Sequence, residues 1–112
     1  VMSGGTLRQV GSFIPPLTLS VSPDSASGGA FSGQVNTNFV TAIAAGGQAP
    51  YSYAWTLVSN TNPGTPAAIN PTIATTAFRG FVGGEAVFRV AVTDNLGNVQ
   101  NALAPATFTS FA

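Results

Sequence analysis

The chain has 112 residues, of which 45% are hydrophobic and only 5% are charged, and its formal net charge is zero. This length suits a single domain with one core, and three Arg without any Lys exclude the basic stripe that nucleic-acid binding requires. The sequence has no His and no Cys, which excludes disulfides, the usual zinc sites and the usual Ser-His or Cys-His catalytic pairs.

The amino-terminal segment differs in character from the rest of the chain. Its first residues, Val1–Gly5, lack the charged region and the apolar run of a signal peptide. We expect residues 1–16 to be a linker or a loosely packed segment and residues 17–112 to be the domain. The segment has some apolar residues, which suit contact with the domain or with a neighbour: Val10, Phe13 and Ile14. No apolar stretch reaches the length of a membrane span, so membrane insertion is not expected.

The first part of the domain predicts two strands joined by a loop. Leu17–Val21 alternates apolar and polar residues and stops before Pro23, as a half-buried strand does. The Ser- and Gly-rich stretch 24–33 is expected to be a flexible loop. A second strand, Val35–Ala45, has two possible buried faces. We expect the core to receive the smaller set, Val40, Ala42 and Ala44, and the opposite face to hold Phe39 and Ile43.

The stretch 51–57 is the clearest strand in the sequence. Large apolar residues occupy its alternate positions: Tyr51, Tyr53, Trp55 and Leu57. This is the period of a strand with one buried face. The turn-forming residues 46–50 precede it, and it holds the only Trp of the chain. We therefore predict that Tyr53, Trp55 and Leu57 belong to the core.

The next part of the chain predicts a long loop and one strand. Residues 60–71 contain three Pro residues, and Pro interrupts a ladder, so at most a short edge strand fits there. Thr72–Phe81 has the β-branched and aromatic enrichment of a strand. Ile73 and Phe78 are its expected core anchors.

Two strands and a tight turn complete the domain. Ala86–Asp94 predicts a strand, and three of its large apolar residues share the predicted core face: Phe88, Val90 and Val92. The stretch 94–98 predicts a hairpin turn in which Gly97 takes a positive φ and either Asp94 or Asn95 bonds local amides. The last strand runs from Val99 to about Phe108.

Six or seven short strands separated by turns favour an all-β fold. We predict an antiparallel β-sandwich on this basis. A small closed barrel is the alternative, because counting strands does not distinguish the two.

Two motifs resemble the immunoglobulin-like and PKD-type domains of surface proteins. They are Gly46-Gly47-x-x-Pro50-Tyr51-x-Tyr53-x-Trp55 and Phe88-x-Val90-x-Val92-Thr93-Asp94-x-x-Gly97. The resemblance covers residues 17–109 and implies an immunoglobulin-like, Greek-key β-sandwich of about seven strands. It also implies that Trp55 is the core tryptophan and that Asp94 organises the turn before the last strand.

A second, narrower resemblance depends on two strings of the sequence: Thr75-Thr76-Ala77-Phe78 and the strand that ends in Val92-Thr93-Asp94. These strings are similar to immunoglobulin-like domains appended to tail or capsid proteins of tailed phages. The resemblance implies a non-catalytic module of a larger virion or surface protein, for display, spacing or weak adhesion to a host cell. The implied location is the virion surface or the extracellular space. The implied partners are the parent polypeptide, neighbouring subunits and a cell-surface glycan.

The acidic residues are the first candidates for chemistry. Asp24, Glu85 and Asp94 stand far apart in the sequence, each in or beside a predicted turn. Calcium requires six or more oxygen ligands, and the sequence contains no acidic cluster. We therefore expect turn and capping roles, and we predict no catalytic residue, metal site or cofactor.

The aromatic residues are the second candidates. Tyr51 stands at the end of its strand and is a weak candidate for stacking on a sugar, and Phe81, Phe108 and Phe111 are further candidates for the surface. Most aromatics on sandwich strands pack in the core, which is the simpler expectation. Two alternative functions remain open: a carbohydrate-binding accessory module of a secreted bacterial enzyme or adhesin, and a building block that oligomerises through an edge strand.

Overall fold

A computed structural model describes residues 14–111 of the chain, and it shows ten β-strands there and no helix. Consequently the described residues offer no helical candidate for a membrane span. The strands are β1 Thr18–Ser22, β2 Ala26–Ala30, β3 Gln34–Asn36, β4 Val40–Ala45, β5 Ser52–Asn60, β6 Ala67–Ala68, β7 Thr75–Thr76, β8 Phe78–Phe81, β9 Glu85–Thr93 and β10 Val99–Ser110. Of the predicted amino-terminal segment, residues 1–13 lie outside the described part of the chain.

One layer of the fold, called the first sheet below, consists of two separate three-stranded sheets with the orders β1-β4-β7 and β3-β8-β6. The chain passes between these two sheets from β3 to β4 and from β7 to β8. The predicted strand Val35–Ala45 is wrong as a single element, because Thr37 and Asn38 interrupt it. The Thr37 hydroxyl accepts a hydrogen bond from the Phe78 amide at 3.0 Å, and the Asn38 side chain accepts one from the Ser27 amide at 2.9 Å. Such polar side chains compete with the regular ladder for backbone groups.

The second sheet has the order β2-β10-β9-β5. Trp55 of β5 lies opposite Val90 of β9 in an antiparallel register. The pair of β2 and β10 is parallel, whereas every other pair in the described residues is antiparallel. The flexible loop expected at 24–33 is therefore partly wrong, since it contains β2. A Cβ on Gly28 would stand 2.5 Å from the Asn36 carbonyl oxygen, so the missing side chain is what allows β2 to pass so close to β3.

The core lies between the two sheets and is built around a stack of rings. Phe78 of the first sheet stacks on Phe88 of the second, with ring centroids 4.0 Å apart and an interplanar angle of 11°. The Trp55 ring meets Phe78 edge to face at 5.6 Å, and it is only 4% exposed. Its Nε1 donates a hydrogen bond to the Ile73 carbonyl oxygen at 2.8 Å. These contacts join two separate sheets, so the fold is a sandwich and not a closed barrel.

Small and β-branched residues fill the rest of the core. Buried members include Val40, Ala42, Val90, Val92 and Phe108, while Tyr53 and Leu57 are partly buried against the same cluster. Val40 and Ala42 thus lie on the buried face of β4, as predicted, and Ile43 lies on the exposed face. Ile73 is not the expected anchor, because its side chain is 55% exposed. It lies in the turn before β7, and only its carbonyl reaches the core.

The ring stack generates a direct test. Trp55→Ala removes the indole and leaves a cavity between the sheets, so we expect a loss of about 3–5 kcal/mol in the free energy of unfolding. Trp55→Phe keeps a ring but loses the hydrogen bond to Ile73, and it should cost less. Urea titration followed by circular dichroism measures both variants. A loss below about 1 kcal/mol for Trp55→Ala, the size of an ordinary surface change, would show that the ring does not hold the sheets together.

Candidate functional site

The chain enters and leaves the sandwich at opposite ends. β1 begins at Thr18, opposite Ala45 at the end of β4, whereas β10 ends at Ser110, opposite Ala30. We call the first end, with residues 14–17, 46–51 and 94–98, the entry end. The exit end consists of residues 31–33, 61–64, 82–84 and 111. The 12 residues of β10 span about 40 Å, so the two sets of loops form separate surfaces.

Asp94 ties the loops of the entry end together. Its Oδ1 accepts hydrogen bonds from the amides of Leu96 and Asn98. Its Oδ2 accepts from the Gln48 amide and from the Asn98 side chain. The side chain is only 5% exposed. The turn predicted at 94–98 is thus bonded through one carboxylate to the preceding turn 46–50.

Hydrogen bonding and burial act on the Asp94 carboxyl in opposite directions. The side-chain hydrogen bond from Asn98 is the main influence, and together with the backbone bonds it outweighs desolvation and lowers the pKa of Asp94 below 3.8. The charged carboxylate accepts these bonds, so donors favour the ionised form. Its oxygens are already engaged by N–H donors, which leaves this carboxylate unsuited to bind a metal ion.

Two glycines shape the turns at this end. Gly97 has a φ of 88° and Gly47 one of 58°, values that residues with a Cβ rarely adopt. A Cβ on Gly47 would also stand 2.5 Å from the Asp94 Oδ2. The Gly47 amide donates to the Pro15 carbonyl oxygen at 2.7 Å, which fastens the incoming chain to the same turn.

Tyr51 belongs to this loop structure and is not a free ring. Its side chain is half-buried, and its hydroxyl donates a hydrogen bond to the Gly46 carbonyl oxygen at 2.6 Å. The sequence made Tyr51 a weak candidate for stacking on a sugar. The structure instead places it as a brace across the turn that introduces β5.

An open groove lies at the entry end between the incoming chain and the last turn. It encloses about 400 Å³. No charged residue is among those that line it: Ile14, Pro15, Pro16, Leu17, Gly47, Leu96, Asn98, Val99 and Gln100. Three of its apolar side chains are exposed to solvent: Ile14, Leu96 and Val99. The groove is therefore uncharged, with the polar side chains of Asn98 and Gln100 beside the apolar ones.

Three exposed phenylalanines mark the exit end. Phe31 is 72% exposed and Phe111 is 58% exposed, and their rings meet edge to face at 5.7 Å and 69°. Phe81 is also exposed and lies over Gly64. Phe108, suggested for the surface, is buried in the core instead, because it packs against Gly80 of the other sheet.

Asn62 fastens the loops of the exit end. Its Nδ2 donates to the carbonyl oxygens of Phe81 and Gly83 at 2.6 and 2.7 Å, and its Oδ1 accepts from the Gly64 amide at 2.9 Å. The side chain is buried. Asn62 was not predicted from the sequence, although an Asn before Pro63-Gly64 is a turn signal. The exposure of Phe31 was not predicted either. The feature of the sequence that indicates it is a single large aromatic residue within a stretch of Ser and Gly.

The fold does not bring Glu85 and Asp94 together. Glu85 and Asp94 stand at opposite ends of β9, and nine residues of strand separate them by about 30 Å. Paired carboxylates in glycoside hydrolysis stand within about 10 Å of each other. Within residues 14–111 no three His, Cys, Asp or Glu side chains gather where a metal ion would fit.

The fold is that of PKD and immunoglobulin-like domains. The chain is similar to the PKD domain of human KIAA0319, known from its solution structure, with a TM-score of 0.64 and 19% sequence identity. The similarity covers 96% of this chain and 93% of that domain. Neither a family model nor a curated protein matches the sequence. At this identity the likeness shows the fold, and it confirms the predicted immunoglobulin-like sandwich.

The Asp94 network predicts how stability depends on pH. The carboxyl has a lower pKa in the folded chain than in the unfolded chain, so its contribution is complete above the unfolded pKa of about 3.9. That contribution is lost as the pH falls through the folded-state pKa. Asp94→Asn should therefore lower the melting temperature at pH 7, and its difference from wild type should shrink as the pH falls below 3.8.

Thermal denaturation followed by circular dichroism between neutral and strongly acidic pH measures this difference. The matched control is Asp24→Asn, at an exposed position outside the network, and it should melt close to wild type at pH 7. An equal loss of melting temperature for Asp94→Asn at neutral and acidic pH would contradict the role of the charge.

Proposed function

We propose that the chain is a non-catalytic, immunoglobulin-like module of a larger virion or cell-surface protein, in which it provides spacing, display or weak adhesion to a host cell. The virion surface or the extracellular space is the proposed location. The observation that carries the proposal is the placement of the two chain ends at opposite ends of the sandwich. A module of this geometry adds length to a polypeptide that passes through it.

Both ends of the described chain are fastened to the sandwich. At the entry end the Pro15 carbonyl oxygen accepts from the Gly47 amide. At the exit end the Phe111 amide donates to the Ala30 carbonyl oxygen at 3.0 Å. The direction in which the chain enters and leaves is therefore set by the domain. A fixed direction suits a spacer, because it orients whatever is attached at either end.

The composition of the surface also supports the proposal. The outer face of the second sheet presents mainly small, uncharged side chains: Ser52, Ala54, Thr56, Ala91, Asn101 and Thr107. Arg89 and Leu103 lie opposite each other near its middle. A surface with so little charge allows neighbouring subunits to approach without electrostatic repulsion. Neighbouring subunits and the parent polypeptide are the partners that the proposal names.

Weak adhesion would use the exit end, where the exposed rings of Phe31, Phe81 and Phe111 offer apolar contact. A cell-surface glycan is the proposed ligand class, since sugars stack on exposed rings. The rings of Phe31 and Phe111 are nearly perpendicular, so they do not form the planar row of a dedicated carbohydrate-binding module. We therefore favour a spacer with weak adhesion over such a module.

Two copies of the full chain joined in tandem test the spacing. The maximum dimension measured by small-angle X-ray scattering should exceed that of one copy by about 40 Å or more, the length of β10. The single copy is the control. An increase of less than about half that length would mean that the copies fold back on one another, which would contradict a spacer.

Adhesion requires a separate measurement, because binding at a weak site becomes detectable when several copies of the chain bind at once. The chain fused to a tetrameric carrier should bind a glycan array or host cells about 100-fold more tightly than the single chain, or better. The carrier alone is the control. Absence of binding by the tetramer would remove adhesion from the proposal and leave spacing and display.

A further inference from the structure

Four exposed side chains meet on the outer face of β3 and β8. Gln34 lies opposite Phe81, and Asn36 lies opposite Arg79, and all four point to solvent. We call these four residues the Arg79 cluster. We infer that the cluster binds a sugar that carries a carboxylate, with the sugar ring on Phe81 and the carboxylate on Arg79. The inference rests on the proposed weak adhesion, for which it names the site and the class of sugar.

The pairing of the strands holds the four side chains of the Arg79 cluster close together. Residues directly opposite each other in an antiparallel pair have Cβ atoms about 5 Å apart. Arg79 and Phe81 are two positions apart on the same strand, a distance of about 7 Å. An aromatic ring, a guanidinium and two amides therefore share one small patch of paired strands. Side chains on strands are held more precisely than side chains on loops.

Phe81 provides a flat apolar surface in a fixed position. Its ring lies over Gly64, where an added Cβ would stand 2.5 Å from the ring. Its carbonyl oxygen accepts a hydrogen bond from Asn62 at 2.6 Å. The side chain is nevertheless 43% exposed, so part of the ring remains open to a ligand. Because the ring is already positioned, little conformational entropy is lost when the apolar face of a sugar ring packs on it.

Arg79 makes this face complementary to an anion. Its cross-strand neighbours are Asn36 and Ala67, neither of which is charged, and Ala67 is too small to cover the guanidinium. Glu85 and Asp94 belong to β9 of the other sheet and to the turn that follows it. A planar guanidinium binds a carboxylate through two parallel N–H···O bonds. The charge of this face therefore favours a ligand that carries a carboxylate.

The two amides of the cluster favour a sugar over a simple anion. The side chains of Gln34 and Asn36 each present both donors and an acceptor, as binding to sugar hydroxyls requires. The side chains of Asn38, Asn62 and Asn98, by contrast, are bonded within the protein. Gln34 and Asn36 are exposed, and their side chains make no such bond within residues 14–111. Their amides are therefore available to a ligand that lies on Phe81.

NMR titration of the full ¹⁵N-labelled chain tests the site with two acidic sugars, sialyllactose and trigalacturonic acid. The amide signals of residues 34–36 and 79–81 should shift with one or both of them, which also tells a sialic acid from a uronic acid. Lactose and the methyl ester of trigalacturonic acid are the uncharged controls, and they should bind at least about tenfold more weakly.

Three results of the titration would overturn the inference. The first is no shift of these signals with either acidic sugar at millimolar concentration. The second is equal binding of the uncharged sugars, which would exclude a role for the charge. The third is an equal effect of a short polyglutamate peptide, which would indicate an acidic peptide as the ligand instead of a sugar.

Variants of the cluster give an independent arm of the same titration. Arg79→Gln removes the charge, and Phe81→Leu removes the flat ring but keeps an apolar contact with Gly64. Each should bind the acidic sugar about tenfold more weakly than wild type. The matched control is Arg89→Gln, at an exposed Arg of the other sheet whose cross-strand neighbours are Thr56 and Leu103. It should bind as wild type does. Equal weakening by Arg89→Gln, or none by Arg79→Gln, would overturn the inference.

The tetrameric carrier separates a failure of this inference from a failure of the proposed adhesion. We expect the wild-type tetramer to bind host cells and the Arg79→Gln tetramer to bind them at least about tenfold more weakly. Equal binding by the two tetramers would overturn the inference and leave adhesion, with the Phe31–Phe111 pair as its remaining site. If no tetramer binds cells but the single chain binds an acidic sugar in the titration, the sugar site stands and adhesion to those cells is wrong.

Discussion

The contact on which the structure depends is the stack of Trp55, Phe78 and Phe88. Phe78 comes from one sheet and Phe88 from the other, and their rings lie 4.0 Å apart. The chain has no Cys, so the two sheets are held by packing of this kind and by hydrogen bonds. The indole adds a bond to the Ile73 carbonyl, which fixes the turn before β7. Strand positions, and with them both end surfaces, follow from this contact.

Buried polar side chains hold the loops in this protein by hydrogen bonds, a role that ion pairs can have in more highly charged proteins. Asp94 fastens the entry end, Asn62 the exit end and Thr37 the interruption between β3 and β4. Each one satisfies backbone groups that a turn leaves without a ladder partner, and an unsatisfied buried group is costly. The loops at both ends are thus tied to the strands by hydrogen bonds, although only 5% of the residues are charged.

Local patterns predicted much of the fold. β1, β5 and β9 were found from alternation, because a strand with one buried face repeats every two residues. β2 was missed, since Gly28 and Gly29 carry no apolar pattern and their strand is held by backbone bonds to β10. The break in Val35–Ala45 was also missed. It depends on hydrogen bonds from Thr37 and Asn38 to partners distant in the sequence.

Composition and periodicity are properties of the chain alone, and they were enough to predict the all-β class, the principal strands and the lack of His and Cys chemistry. The contact of Tyr51 with its own turn and the link that Asp94 makes between two loops became visible in the folded chain. Folding also brought Phe31 and Phe111 together, residues that lie far apart in the chain. Such juxtapositions depend on how strands are ordered and aligned within the sheets, and no local pattern carries that information.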